Sequence, residues 1–370
     1  MAKPISYHKL QSQKHNERIK ELLKKLPAVC SDYFRSISQT TSALTRLAYA
    51  YDLRLFFHFL CTEQFTFANS KPELITLNEM EKISARDIEA FQEYLLQYTK
   101  LDDNNPAGIS PVFIQNNELG IMRKLCSIRS LFEYMFKNEM IPANIATLVS
   151  LPKKREKPIL YMETNEVQEM IDAVLTGNGL SSKQKAYLES TRKRDLAILM
   201  LFLGTGVRVS ELVGLDLHDL DFDKNAFTVV RKGGNQTILY YSNQVKHVLR
   251  DYIEERSQVT PLTGHEQALF LSLQKRRITI RAVENMVKKY AMVAAPLKKR
   301  ISPHKLRSTF GTNLYQETGD IYLVADALGH SDVNTTRRHY AAMTDQRKRE
   351  AAKRIVLPDT SIQTEGEQQV

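Results

Sequence analysis

Arg208, in T-G-V-R-V-S-E-L (Thr205 to Leu212), opens an ordered series of side chains suited to phosphate chemistry. Lys232 follows in R-K-G-G, His304 and Arg307 in S-P-H-K-L-R, His330 in L-G-H-S-D, and Tyr340 in N-T-T-R-R-H-Y. Cations gathered around a phenol suit attack on a phosphodiester. The phenol oxygen is the nucleophile, and the cations neutralise the charge that develops in the transition state. Two arginines able to fork onto one phosphate are more telling than either alone.

Each piece also has an ordinary structural reading. Ser302-Pro303 predicts a helix start, with a capping hydroxyl and proline at the first helical position. His304 and Arg307, three residues apart, then share a face near backbone N–H groups that favour an anion, while Leu306 points into the core. The plain alternative is a helix end with incidental cations. Arg208 follows the G-T-G turn, and Glu211 is placed to hold its guanidinium; the alternative is a surface Arg–Glu pair. Lys232 occupies a hairpin tip from which a lysine can protonate a leaving alkoxide, although locally K-G-G-N reads first as turn chemistry. Gly329 ends a helix, and His330 either caps it or donates to a phosphoryl oxygen. Tyr340 is one of 16 tyrosines, marked only by its short distance after His330. The metal-dependent alternative needs clustered carboxylates. Asp216, Asp219, Asp221 and Asp223 lie close together, but they precede a strand and lack a calcium-loop glycine, so they read as turn and cap residues.

The elements that must position these residues fall into two parts, as 370 residues suggest. Helices are predicted over Ser42 to Leu60 (Leu44, Leu47, Ala48, Tyr51, Leu55 and Phe59), from Ser84 to about Tyr98, and over Gln115 to Asn138. The last has an inner face of Leu125, Ile128, Leu131, Phe132 and Met135. Its Arg123, Lys124 and Arg129 form a solvated face or contact DNA phosphates. Leu101 to Pro111 reads as a loop. Leu151 to Pro158 reads as an exposed linker whose Lys153, Lys154 and Arg155 can touch a DNA backbone. Beyond it, helices are expected at Thr164–Thr176, Arg194–Gly204, Asn243–Glu255, Thr279–Met292, Pro303–Thr318 and Ile321–Leu328. Paired strands are expected at Ala226–Arg231 and Thr237–Tyr241. Gln346 to Arg354 is basic and helical, and the tail from Pro358 is polar.

The net charge of +10 and pI near 9.3 favour a polyanionic partner, against the plainer reading of a soluble basic surface. Cys30, Cys61 and Cys126 are too scattered for a zinc site or a disulfide framework. Cys61 and Cys126 are expected as core thiols. The N-terminus lacks the apolar core of a signal peptide and no apolar run suits a membrane span, so a cytoplasmic location is expected.

Together, T-G-V-R-V-S-E-L, H-K-L-R and L-G-H-S-D followed ten residues on by Tyr340 resemble the tyrosine recombinase (phage-integrase-type) family. The Xer branch, which resolves chromosome dimers, is the most similar; a mobile-element integrase shares the same features. The resemblance covers about Thr164 to Lys353 and, more loosely, the helical part before it. It implies a mostly α fold with a small antiparallel β-sheet in the catalytic domain, forming a two-domain C-shaped DNA clamp. The implied domains are a helical basic N-terminal extension (1–26), a helical core-binding domain (27–150), a linker (151–162), the catalytic domain (163–357) and a disordered tail (358–370). It implies that Tyr340 forms a 3′-phosphotyrosyl link and releases a 5′-hydroxyl. Arg208 and Arg307 would hold the non-bridging oxygens, with Glu211 supporting Arg208. Lys232 would protonate the leaving oxygen, His304 would assist proton transfer at Tyr340, and His330 would hydrogen-bond the phosphate. No metal or cofactor is implied. The partner would be a double-stranded DNA site, held by a homotetramer on two paired sites that works through a Holliday junction. Gln346 to Val356 would dock on the neighbouring subunit, and an accessory protein is left open. Ser308 departs from the family, which often has a second histidine there. Alternatives are relaxation in the manner of a type IB topoisomerase, or a non-catalytic DNA-binding regulator on the same scaffold. Occupancy of every expected catalytic position disfavours the regulator.

Overall fold

Long amphipathic helices dominate both parts of the chain, and the short strands are confined to hairpin-like pairings. In this computed structural model the described residues are 6–64, 67, 70–101, 112–153, 160–231, 234–298, 301–330, 332–334 and 336–337. The chain divides into two compact units, Met1–Glu156 and Lys157–Val370. The expected fold class, mostly α with small antiparallel sheets, is what the structure contains.

In the first unit α1 is Tyr7–Leu23, α2 Ala28–Ser36, α3 Ala43–Glu63, α4 Leu77–Met80, α5 Ala85–Tyr94 and α6 Glu118–Lys137. Between α5 and α6, β1 (Gln97–Thr99) pairs antiparallel with β2 (Phe113–Gln115). The helix expected to reach Tyr98 therefore stops at Tyr94, and Gln115 belongs to a strand. Ser84 caps α5 as predicted, accepting the Asp87 N–H while the Asp87 carboxylate accepts the Ser84 N–H. The expected inner face of α6 is fully buried. On α3, however, Leu44 and Tyr51 are exposed, and burial centres on Ala50, Leu53, Phe56, Phe57 and Leu60. The α1 residues Ile19 and Leu22 join the same core. Cys61 is buried as expected; Cys126 is exposed, which corrects its reading as a core thiol.

The cations of α6 have partners within the unit. Arg123 makes a two-pronged ion pair with buried Asp52 (2.5 and 2.7 Å), which also accepts from Ser127 Oγ at 2.9 Å. Lys124 donates to Asn116 Oδ1 at 2.9 Å, and Arg129 donates to the Ala146 and Val149 carbonyls. Burial pushes the Asp52 carboxyl up, and the Arg123 guanidinium and Ser127 hydroxyl oppose that push. Arg123→Met removes the main opposition. It should destabilise the chain by about 2–3 kcal/mol at neutral pH, below the value for a fully buried pair because Arg123 is half exposed. The loss should shrink as pH falls toward the ordinary carboxylate range, because the raised Asp52 carboxyl then becomes neutral in the folded chain with or without Arg123. Urea denaturation across pH checks both statements; a loss independent of pH would contradict them.

In the second unit α7 is Thr164–Thr176, α8 Ser182–Ala186, α9 Arg192–Thr205 and α10 Val209–Gly214. The connection between α7 and α9 thus contains one short helix. β3 (Leu220–Asp221), β4 (Ala226–Val230) and β5 (Gln236–Tyr240) form an antiparallel sheet in that order. Then come α11 (Asn243–Ser257), α12 (Ile280–Ala294), α13 (Pro303–Thr318) and α14 (Ile321–Leu328). Helix α9 is the central element, buried from Ala197 to Phe202 and packed against α7, α11 and α13. At its start Asp195, 1% exposed, takes bonds from Arg194 (2.7 Å), Lys289 (3.2 Å) and the Tyr290 hydroxyl (2.9 Å), which ties α12 to α9. No helix among the described residues is long and apolar enough to cross a membrane.

Candidate active site

The centre of the site is made where three helix ends meet. Helix α9 ends at Gly206, whose φ of 62° is left-handed. A Cβ there would overlap the Phe310 ring of α13 and crowd Leu328 of α14, so glycine lets these helices close in. The chain then turns directly into Arg208, the residue preceding α10.

Glu211, only 4% exposed, fixes Arg208 through both of its oxygens. One accepts the Arg208 backbone N–H at 3.0 Å and the other accepts Nη1 at 2.8 Å. The pair is therefore not the surface contact that sequence left as an alternative. Arg208 Nη2 donates to the carbonyls of Leu328 (3.3 Å) and Gly329 (3.0 Å). Arg307, near the start of α13, is 5% exposed and donates to the carbonyls of Gly206 and Leu328. Two guanidinia more than ninety residues apart in sequence thus share the Leu328 carbonyl, at the negative end of α14.

Gly329 terminates α14 in the left-handed region, as predicted, with the His330 N–H bonded back to the Ala325 carbonyl at 2.9 Å. His330 therefore leaves the same turn that carries the two arginine-binding carbonyls. Its Nδ1 lies 2.7 Å from the Thr336 hydroxyl, which is fully buried and was not anticipated. His304 lies on the same helix turn as Arg307 but is exposed, and Leu306 is buried as expected. Proline occupies the first position of α13, yet the Ser302 hydroxyl makes no capping bond; its carbonyl accepts from Lys305 and Leu306 instead.

The carboxylates of the 216–223 stretch serve turns. Asp219 accepts the Asp216 N–H at 2.8 Å, Asp221 accepts the N–H groups of Asp223 and Lys224, and Asp216 pairs with Arg277. Asp216, His218 and Asp219 lie close enough to one another to share an ion, but these bonds account for the two aspartates as local scaffolding. Lys232, Tyr340, Lys154 and Arg155 lie outside the described residues, as do 102–111, 346–354 and the tail. Lys153 is described and exposed.

One residue passed over in the sequence belongs to this neighbourhood. Arg231 reaches from the end of β4 to the Ala327 carbonyl, and its guanidinium lies where a Cβ on Gly329 would be. Its only sequence signal was its place beside Lys232. Three guanidinia, facing the carboxylates of Glu211 and Asp326, leave this corner net positive among the described residues. Such a corner suits an oxyanion.

Residues 161–347 match the phage integrase family. The tyrosine recombinase XerS of Streptococcus agalactiae serotype III (strain NEM316) is 32% identical over 355 residues, covering 90% of this chain and 96% of its own. The tyrosine recombinase XerC of Caldanaerobacter subterraneus subsp. tengcongensis is 31% identical over 333 residues, covering 88% and 85%. Among solved structures, the XerH site-specific recombinase bound to palindromic difH in a post-cleavage complex matches with TM-score 0.60 at 18% identity, covering 93% of this chain and 94% of that one. The Tn1549 transposon integrase (residues 82–397) bound to circular-intermediate DNA matches with TM-score 0.59 at 19% identity, covering 88% and 99%. These two likenesses show the fold. The long, near-complete likeness to XerS, together with the family match across the arginine-bearing unit, shows that this chain belongs to the phage integrase family as a tyrosine site-specific recombinase.

Proposed function

We propose that this recombinase cuts and rejoins a specific DNA site through a 3′-phosphotyrosyl link on Tyr340, in the manner of an Xer protein. The observation that carries the catalytic reading is the convergence of Arg208, Arg307 and the His330 turn on the end of α14. In the cleavage step the Tyr340 oxygen attacks phosphorus and loses its proton, with His304 assisting. The new Oη–P bond forms as the P–O5′ bond breaks, and Lys232 gives its proton to the departing 5′-oxygen. Arg208, Arg307 and His330 donate to the non-bridging oxygens as charge builds on them. Arg307 is buried and Arg208 is 36% exposed along its side chain, so Arg208 is the arginine that an incoming phosphate reaches first. The phosphotyrosyl bond conserves the energy of the broken ester, so a second strand's hydroxyl can reseal it.

The two-domain clamp, the homotetramer on paired sites and the docking of 346–356 on a neighbour belong to the same proposal. So do the domain limits given above and a location with the cell's DNA. Because Arg123, Lys124 and Arg129 have internal partners, backbone contact is better placed on Lys153, Lys154 and Arg155. The XerS and XerC relatives favour chromosome dimer resolution over element mobility.

The test begins by sequencing the DNA that stays attached to the full chain after denaturation, which identifies the site. A plasmid with two such sites should be deleted or inverted between them, and a plasmid with none should keep its supercoils. Relaxation of the site-free plasmid would instead favour topoisomerase action. Site affinity should fall steeply with salt, as phosphate contacts release counterions. A flat dependence between about 50 and 200 mM salt would contradict an extended DNA interface.

A further inference from the structure

Arg231 directly follows β4 and directly precedes Lys232. A cation at a hairpin end ordinarily runs into water, but this one turns inward. Its Nη2 reaches the Ala327 carbonyl at 3.4 Å, and its Nε is buried without a hydrogen-bond partner. A Cβ on Gly329 would overlap Nη1 and Cζ, so glycine is needed there both for the guanidinium and for its left-handed φ of 57°. Burial lowers Arg231 from the ordinary arginine range; Glu211 and Asp326 oppose the shift and Arg208 adds to it. A half-buried guanidinium with one buried, unmet donor costs free energy. Local costs of this kind are retained at functional sites more readily than in plain scaffold.

The contact joins two parts that are held by different numbers of bonds. The α14 turn is also held by its own backbone bonds, Gly329 N–H to Asp326 (2.7 Å) and His330 N–H to Ala325 (2.9 Å), and by Arg208 and Arg307. The hairpin closes on itself through Arg231 N–H to the Asn235 carbonyl (2.8 Å) and Gly234 N–H to the Arg231 carbonyl (3.0 Å). Beyond the turn, Gln236, Ile238 and Tyr240 of β5 are exposed. Losing the contact would therefore leave the turn in place and free the hairpin end.

We propose that Arg231 is a positioning residue for strand cleavage: lodged against Gly329, it fixes the end of β4 beside the Arg208–Arg307–His330 corner and so sets where Lys232 meets the leaving 5′-oxygen. The assignment rests on the recombinase reading and on the proton-donor role of Lys232. It confines the consequence of losing Arg231 to the step in which the P–O5′ bond breaks and the oxygen takes a proton. A 5′-bridging sulfur leaves as a thiolate and needs no proton, because a thiol is far more acidic than an alcohol.

The test compares single-turnover cleavage by the full-length chain on nicked duplexes carrying its site, with oxygen or sulfur bridging at the scissile phosphate. Arg231→Met should bind DNA normally and cleave the oxygen duplex at least about tenfold more slowly. On the sulfur duplex it should come within about twofold of the unmodified chain, since no proton donor is required there. Equal slowing on both duplexes would place Arg231 on the phosphate or in the fold and overturn the proposal. An unimpaired rate on the oxygen duplex would overturn it as well. Should Arg231→Met fail to fold, Arg231→Lys carries the same comparison, because a compact ammonium cannot both reach Ala327 and cover Gly329. Failure of the underlying reading would be seen separately, as the unmodified chain cleaving neither duplex.

Discussion

Tyr340→Phe is expected to bind the recombination site as the unmodified chain does and to form no covalent complex with it. The substitution removes one oxygen and keeps the ring. Binding rests on many phosphate contacts, so it should be unaffected, while cleavage loses the atom that forms the new bond. The rate should fall by roughly 10⁴-fold or more, the scale seen when a nucleophile is removed from a catalytic group acting as a unit. A denaturing gel of protein with a nicked duplex reads the result. An adduct persisting in Tyr340→Phe would move the nucleophile to another of the 16 tyrosines.

The second large effect is at Arg208. Its guanidinium already serves Glu211 with one nitrogen and the Leu328 and Gly329 carbonyls with another. A lysine offers a single nitrogen and cannot hold that geometry while donating to a phosphate. Arg208→Lys should therefore keep its charge and its DNA affinity but lose about 10²–10³-fold in single-turnover cleavage, the usual cost of removing one transition-state donor. A rate within about threefold of the unmodified chain would remove Arg208 from the phosphate. Arg307→Lys should add a loss of stability, because Arg307 is buried and its two donors bridge the Gly206 and Leu328 carbonyls.

Local signals were legible at several helix ends, although the Ser302 hydroxyl expected to cap α13 makes no capping bond. Gly206, in the expected G-T-G turn, and Gly329, the expected helix end, are left-handed, and Thr164–Thr176 and Ile321–Leu328 have the bounds expected of them. The two strands of three residues were not legible, because three positions carry no period and their pairing crosses a long connection. The α6 cations show the same limit. Their spacing suited a solvated face, but Arg123 finds its partner 71 residues away in Asp52. At the site, the motifs named the arginines and histidines, and Glu211 was visible three residues from Arg208. The shared Leu328 carbonyl was not, since it lies 120 residues from Arg208. Arg231 was hidden for a similar reason: only the fold brings Gly329 against it.

Tyr340 is proposed to become covalently attached to DNA without metal assistance. The most direct measurement is to incubate the full chain with a nicked duplex of its own site in the presence of a chelator, digest the adduct, and locate the modified residue by mass spectrometry. A nucleotide joined through a 3′-phosphate to Tyr340 is the expected product. An adduct on another residue, or bound DNA that is never attached, would contradict it.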